Sequence, residues 1–268
     1  MSRDLFKWSK IATAYAKYRP TYGKEVFDTI INFCKETNDS LSLAIDVGCG
    51  SGQSTIPLAK DFDKVIGIDV SVKQIENAPE NLPNVSFRTG LAEDLSFLSD
   101  GTVDLVTVAQ TLHWLDLKAF FGEVQRILKP GGSLVVYGYG LAVLDNSKAL
   151  EVQNYIYRDV LGGYWDRGRD KIEEHYSSFS LPFPEWRRND SFKIERSWTV
   201  DEYMGYLSSW SAWHTYLQDH PNSDAMELVR QRMKDVYGYG KEDSLQEKMK
   251  IYWPVFMLMG HKPLSALK

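Results

Sequence analysis

Residues 44–52 read AIDVGCGSG, and residues 64–70 follow with KVIGIDV. The first stretch is a short apolar run that meets three glycines at alternating positions, Gly48, Gly50 and Gly52. Glycine permits a backbone with positive φ and lets a ligand approach the bare main chain. A helix that starts behind such a turn presents unpaired N–H groups, which suit a carboxylate or a phosphate. The second run ends on an acid, Asp69. In doubly wound sheets an acid at the end of the second strand faces the same crevice and accepts hydrogen bonds from ribose hydroxyls. The two stretches together fit a ribosylated ligand. Taken singly, either reads equally as a plain strand-to-helix turn.

The G-x-G-x-x-G dinucleotide fingerprint is not met, because the third glycine comes one position early. Asp46 precedes the turn, where it repels a phosphate and suits an ammonium. An amino-acid moiety carrying both ammonium and carboxylate therefore fits better than a pyrophosphate.

Further short apolar runs follow at 84–89 (NVSFRT), 103–109 (VDLVTVA) and 132–139 (GSLVVYGY), with an earlier start at 41 for the first. They are spaced by stretches long enough for helices at 53–62, 71–80 and 117–130, and residues 21–36 form an amphipathic helix ahead of them. The alternation predicts an α/β fold, Rossmann-like and doubly wound, with a mostly parallel sheet and helices on both faces. After residue 140 the pattern changes. Residues 147–178 and 201–217 read as helices rich in aromatics, 222–236 as a third helix, residues 191–200 alternate like a strand, and 250–262 read as a last strand whose Pro254 suits an edge or a bulge. The sum is a seven-stranded sheet with a helical cap after the fifth strand. The expected organisation is one domain over 1–268: lid and helix at 1–40, cofactor core at 41–140, cap at 141–190 and 201–245, and last strands at 191–200 and 250–262.

Composition limits the function classes. Apolar residues make up 43% and charged residues 25% of 268, and the net charge is −5 without a basic block, so nucleic acid and anionic membrane are not expected partners. No apolar run is long enough to span a bilayer, and the N-terminal MSRDLFKWSK has no secretory apolar core. Two cysteines, Cys34 and Cys49, form no disulfide framework or CxxC pair and suit a reducing, cytoplasmic compartment. The five histidines show no metal-binding spacing, so no metal is expected, and no G-x-S-x-G nucleophile turn is present.

In order along the chain, AIDVGCGSGQST, VIGIDVS, GLAEDLSF, FLSDGTVDLVTVAQTLHWLD and EVQRILKPGGSLVVYGYG resemble the motifs of class I S-adenosylmethionine-dependent methyltransferases. The resemblance covers about residues 40–140. A looser one, carried by YAKYRPTY, HWLD, GGYWDRGRDK and YMGYLSSWSAWHTY, is similar to the trans-aconitate methyltransferase-like proteins, which methylate a carboxylate of a small organic acid. The first resemblance implies S-adenosyl-L-methionine as cofactor and S-adenosyl-L-homocysteine as product. It implies that Asp46 and Gly48 hold the methionine end, and that Gly50, Ser51 and Gly52 form a backbone wall. Asp69 takes the ribose hydroxyls, Val70 packs the adenine, and Ala92 donates its N–H to it. Leu91 stands where the family often has Asp or Asn, which leaves Glu93 or Asp94 for the adenine amine, or both as a solvated helix start. Ala109 and Gln110 line the methionine side.

Tyr15, Tyr18 and Arg19 precede the core and read either as a lid, with Arg19 on the cofactor carboxylate, or as a segment docked by its aromatics. His113 follows the fourth strand and is a base, a substrate donor or a packed ring, and His214 is a second candidate base. Trp114, Tyr137, Tyr139, Tyr164, Trp165, Trp210 and Trp213 are either core or acceptor lining. Arg167 and Arg169 are clamps for a substrate carboxylate or solvated arginines. The expected activity is methyl transfer to a small molecule, a carboxylate oxygen first. The alternatives are a nitrogen, sulfur or hydroxyl acceptor, or a cofactor-binding protein without turnover. The expected assembly is a monomer or weak homodimer.

Overall fold

The computed structural model describes residues 18–238 and 248–264, which cluster into two compact units. One comprises Thr21–Gly140, Asp170–Phe192 and residues 255–264; the other comprises residues 18–20, Leu141–Arg169, 193–238 and 248–254.

The first unit carries the sheet. Strands β1 (Leu43–Val47), β2 (Lys64–Asp69), β3 (Val85–Thr89), β4 (Val103–Ala109) and β5 (Leu128–Tyr139) lie in the order β3-β2-β1-β4-β5, all neighbours parallel. The last strand, β8 (Met249–His261), joins β5 antiparallel through Val255–His261. Alternate residues on one face of these strands, among them Ile45, Val47, Ile66, Ile68, Val106, Val108, Leu134 and Val136, form one core cluster. Phe120, Val124 and Ile127 of helix α3 (Leu117–Ile127) close it, with Ile172, Leu181 and Phe183. Burying each such side chain contributes about 1.5–3 kcal/mol. Helix α1 (Lys24–Lys35) packs against β5 and buries Val26, Phe27, Ile30, Ile31, Phe33 and Cys34, the face its spacing predicts. Asp116 caps α3 by accepting from the N–H groups of Lys118 and Ala119. The chain leaves α3 straight into β5 at Leu128, and Gly131, at φ +78°, makes the turn that Pro130 precedes. The remaining helix ahead of the cap is α2 (Val72–Glu76), and a single 3-10 turn covers Ile56–Lys60.

In the second unit, α4 (Ser147–Asn154) continues as a π-helical stretch at Tyr155–Val160 and packs on α8 (Ala225–Val236). Helix α6 (Val200–Ser208) starts with a full capping box, Thr199 with Glu202. Helix α7 (Ser211–Asp219) follows it. Tyr203, Tyr206, Trp210 and Trp253 are fully buried there. Trp253 Nε1 donates to Tyr206 Oη at 3.1 Å, and Tyr203 donates its hydroxyl to Gln153. The two-residue strand β6 (Val143–Leu144) pairs with Ile251–Tyr252 of β8. Helix α5 (Arg169–Glu173) belongs, from Asp170, to the first unit, as does β7 (Trp186–Trp198) up to Phe192, and β7 pairs with β8.

Several expectations need correction. Among the described residues the sheet has eight strands, not seven, because β6 adds two residues that no alternation betrays. The helix expected over 201–217 breaks at Ser209-Trp210, where Trp210 takes an extended backbone. The segment 147–178 is only partly helical, and β7 starts at Trp186, five residues before the expected strand. Pro254 lies between the residues of β8 that pair with β6 and those that pair with β5.

Candidate active site

In an open parallel sheet the ligand crevice lies at the carboxyl ends of the strands where strand order reverses. Here that point is between β1 and β4. The turn after β1 is built for it. Gly48, Gly50 and Gly52 have φ of +68°, +56° and +95°. The N–H groups of Gly48 and Cys49 both donate to the Ile68 carbonyl, at 2.8 and 3.0 Å, and tie the turn to the end of β2. Gly50 N–H donates to Asp69 Oδ2 at 2.9 Å, and Ser71 N–H donates to Asp69 Oδ1 at 2.8 Å. The bare turn and the acid therefore border one crevice. A carboxylate has about four acceptor positions, so Asp69 keeps capacity for a ligand. Burial pushes its carboxyl above the ordinary range, and the Ser71 and Gly50 N–H bonds oppose that.

The three glycines do different things. A Cβ on Gly48 would lie 2.3 Å from Thr111 Oγ1, and one on Gly52 would lie 2.6 Å from the Phe87 ring. Those two positions need glycine for packing. A Cβ on Gly50 would meet nothing nearer than Gln74 Cδ at 4.0 Å. Gly50 is thus a glycine that borders open space. Gly50→Ala is expected to cost about 1–2 kcal/mol of stability, the strain of a left-handed alanine, and to leave the fold intact. Urea unfolding measures this.

Asp46 has a different place from the one its type suggests. It is fully buried, and Thr55 Oγ1 and Thr107 Oγ1 donate to its two oxygens at 2.6 and 2.7 Å. Thr107 is its register partner on β4. Desolvation raises the Asp46 carboxyl to about 6, against the two hydroxyl bonds, and the Asp69 charge adds to the rise. The carboxylate anchors β1 to β4 and to the segment after the turn. It is not an exposed receiver for an ammonium. Burial, with the charges of Asp46 and Asp69, also pushes the Cys49 thiol up, so this cysteine is a packed hydrophobe.

Around the same edge, Val70 is 49% and Leu91 40% exposed, two apolar side chains that a flat ring would cover. Ala92 is buried. Glu93 Oε1 accepts the Asp116 N–H at 3.0 Å, and Asp94 Oδ1 accepts the Ser96 N–H at 3.2 Å. Ser51 is half-buried. Ala109 accepts from Thr111 Oγ1, while Gln110 takes a left-handed backbone at φ +56° and donates its amide to the Tyr139 carbonyl at 3.0 Å. His113 Nδ1 lies 2.7 Å from Tyr176 Oη, and Trp114, 42% exposed, rests on the imidazole at 4.6 Å. Tyr137 is fully buried and Tyr139 nearly so; both rings contact Tyr22. An adenosyl ligand fits these residues because Gly50 opens on space, the Asp69 carboxylate has acceptor positions left, and two apolar side chains stand exposed beside it.

The other proposed site residues belong to the second unit. Tyr18 packs so close to Gly205 that a Cβ there would lie 2.6 Å from its ring. Arg19 donates to the Ser209 carbonyl at 3.1 Å. Tyr15 lies outside the described residues. Arg169 Nε donates to Tyr157 Oη at 2.9 Å, and its guanidinium lies 5.1 Å from the Trp165 ring centroid. Arg167 is exposed. Trp210 is buried against Tyr157 and Trp165, and among the described residues neither its Nε1 nor the buried His214 Nε2 has a hydrogen-bond partner. Burial pushes the His214 imidazole below its ordinary range. Tyr164 bonds His220 at 3.0 Å, and Trp213 stacks on Tyr216. So His113 and His214, both candidate bases in the sequence, stand in different units. The sequence reading missed Thr55 and Thr107 beside Asp46, and Tyr176 beside His113. No spacing signal links these pairs.

No helix among the described residues is long and apolar enough to cross a membrane. Residues 45–136 match the methyltransferase domain family. A Dictyostelium discoideum protein designated a methyltransferase is 35% identical over 258 residues, covering 96% of this chain and 95% of its own. A Saccharomyces cerevisiae protein designated an S-adenosylmethionine-dependent methyltransferase is 26% identical, over 92% of this chain and 94% of its own. Among solved structures, one described as a type II methyltransferase from Anaeromyxobacter dehalogenans superimposes with a TM-score of 0.77 at 28% identity, covering 92% of this chain and all of that one. None of these names specifies an acceptor. The extent of the Dictyostelium match, with the motif turn and acid in one crevice, makes this chain a member of the class I S-adenosylmethionine-dependent methyltransferases.

Proposed function

We propose that this enzyme methylates a carboxylate oxygen of a small organic acid. The observation that carries the reading is Arg169. Its guanidinium is half-buried against Tyr157 and Trp165, and no carboxylate among the described residues lies within ion-pair distance of it. A half-buried cation beside aromatic faces is a ready partner for an organic anion, and guanidinium matches a carboxylate in two-pronged geometry.

Bound in the crevice, S-adenosylmethionine supplies a methyl on a sulfonium, which an oxygen lone pair takes while the C–S electron pair stays with sulfur. The chain's part is to orient and to exclude water. Asp69 accepts the ribose hydroxyls, the turn at 48–52 gives a bare wall, and Val70 and Leu91 flank the adenine. Ala92 supplies its backbone N–H, with Glu93 beside it. Ala109 and Gln110 border the methionine side. A carboxyl group with a reference pKa near 4 is ionised at pH 7, so no proton has to be removed.

Incubation with methyl-labelled cofactor and panels of acids, amines, thiols and phenols tests this. The expected product carries base-labile label on an acid. Arg169→Ala is expected to raise KM for that acid about tenfold or more, with cofactor affinity unchanged. Base-stable label on an amine or phenol would overturn the carboxylate reading.

A further inference from the structure

We infer that Trp210 is an acceptor-binding residue: its indole N–H and the Arg169 guanidinium together hold an oxyanion, and this donor-only pair admits a carboxylate and rejects amides and amines. That the oxyanion belongs to the methyl acceptor rests on the carboxylate reading above. The donor pair itself stands on geometry within the second unit.

The starting observation is an orphaned donor. The neighbouring indoles are satisfied: Trp165 Nε1 donates to the Tyr157 carbonyl at 2.9 Å, and Trp253 Nε1 donates to Tyr206 Oη at 3.1 Å. Trp210 packs on Trp165 and on Tyr206, with ring centroids 5.4 and 5.6 Å apart, and is 1% exposed. Its buried Nε1 nevertheless donates to nothing among the described residues. Buried polar groups are paired in the great majority of cases, and each exception asks for an explanation.

The surroundings of Trp210 favour an anion. Trp210 is the N-cap of α7, and no side chain caps that helix. The first N–H groups of a helix have no intrahelical acceptor, and they carry positive potential. Ala212 and Trp213, in the first turn, are buried. His214, one turn along, has a second buried ring nitrogen without a partner. Arg169 supplies a full charge nearby. Its Nε donates to Tyr157 Oη at 2.9 Å, and its terminal nitrogens make no hydrogen bond among the described residues. Its guanidinium lies 5.7 and 5.1 Å from the ring centroids of Tyr157 and Trp165. The Trp210 ring lies 5.4 Å from each of the same two rings. The half-buried cation and the orphaned indole thus flank one aromatic pair.

The chemistry of the occupant follows from what the pair can give. An indole N–H only donates, and a guanidinium offers donors and no acceptor. A group that satisfies both has to present lone pairs alone. A carboxylate has about four acceptor positions, so it meets the guanidinium fork and still accepts from the indole. An ammonium brings a like charge and no lone pair. A primary amide sets its NH2 against one of the donors. The pair therefore selects by charge and by hydrogen-bond polarity together.

The test is a proton–nitrogen correlation spectrum of the full-length enzyme, 15N-labelled at tryptophan. The Trp210 indole is assigned by its through-space contacts to the Tyr157 and Trp165 rings. Butyrate is titrated in, and butyramide separately as the neutral probe of the same shape. Butyrate is expected to move the Trp210 indole proton saturably to lower field, and butyramide to leave it in place. Arg169→Ala is expected to weaken the butyrate titration about tenfold or more. Trp210→Phe, which keeps an aromatic ring and removes the N–H, is expected to raise KM for the acid acceptor about tenfold, with kcat and cofactor affinity each within about twofold. A Trp210 resonance that butyrate leaves in place, or that both probes move alike, would overturn the inference, whatever acceptor the labelled panel identifies. Failure of the carboxylate reading shows separately, as base-stable label in that panel. The wild-type titration decides the matter whether or not a variant folds.

Discussion

Asp69→Ala is expected to weaken binding of S-adenosylmethionine about 100- to 1000-fold. Hydrogen bonds to a charged group contribute about 1.5–3 kcal/mol each, and a ribose offers two hydroxyls, so at the lower end of that range their joint loss amounts to about 3–4 kcal/mol. The substitution has a second consequence inside the protein. Gly50 N–H and Ser71 N–H both donate to this carboxylate, at 2.9 and 2.8 Å. Without it, the turn that borders the crevice loses its tether to the end of β2. Asp69→Asn separates the two effects, because it keeps one acceptor oxygen and opposes an NH2 to one of the backbone donors. Its expected affinity falls between wild type and alanine. Calorimetry reads both; an alanine variant within threefold of wild type would remove Asp69 from the cofactor site.

The second large effect concerns pH. The Asp46 carboxyl is raised from 3.8 to about 6 by burial, despite its bonds to Thr55 and Thr107. The folded protein holds this proton more tightly than the unfolded chain does. The group's stabilising contribution is therefore full below about pH 3.8, the unfolded value, and is lost as pH rises through about 6. At about 1.4 kcal/mol per pH unit, the rise corresponds to about 3 kcal/mol. Asp46→Asn cannot titrate. Relative to wild type, the variant is expected to gain about 2–2.5 kcal/mol between pH 4 and pH 7, read as the difference of two urea-unfolding series. Parallel series with no change in that difference would show that Asp46 ionises normally.

Much of the fold is legible in the chain because β1, β2, β4 and β5 are buried on both faces and read as unbroken apolar runs. The glycine turn and Asp69 are legible for a related reason, since both lie at strand ends where local chemistry sets the conformation. The cap is harder. Its aromatics at 147–178 and 201–217 show helical spacing, yet the chain leaves the α-helix at Tyr155 and again at Ser209-Trp210 because burial of Trp210, Tyr157 and Tyr206 outweighs helix propensity. Asp46 illustrates the limit within the site. Its type suggests an exposed ligand, but the register that puts Thr107 beside it joins residues 61 positions apart. Tyr176 is hidden from sequence reading in the same way, 63 positions from His113.

The central claim is that the bare main chain at 48–52 and the Asp69 carboxylate together hold the adenosyl cofactor. A crystal structure of the full chain grown with S-adenosylhomocysteine tests it most directly. The account predicts ribose hydroxyls within hydrogen-bond distance of Asp69, the adenine against Val70 and Leu91, and the amino-acid end beside Gly48 and Gly50. Density for the nucleoside anywhere else on the molecule, with Asp69 bonded only to Gly50 and Ser71, would contradict it.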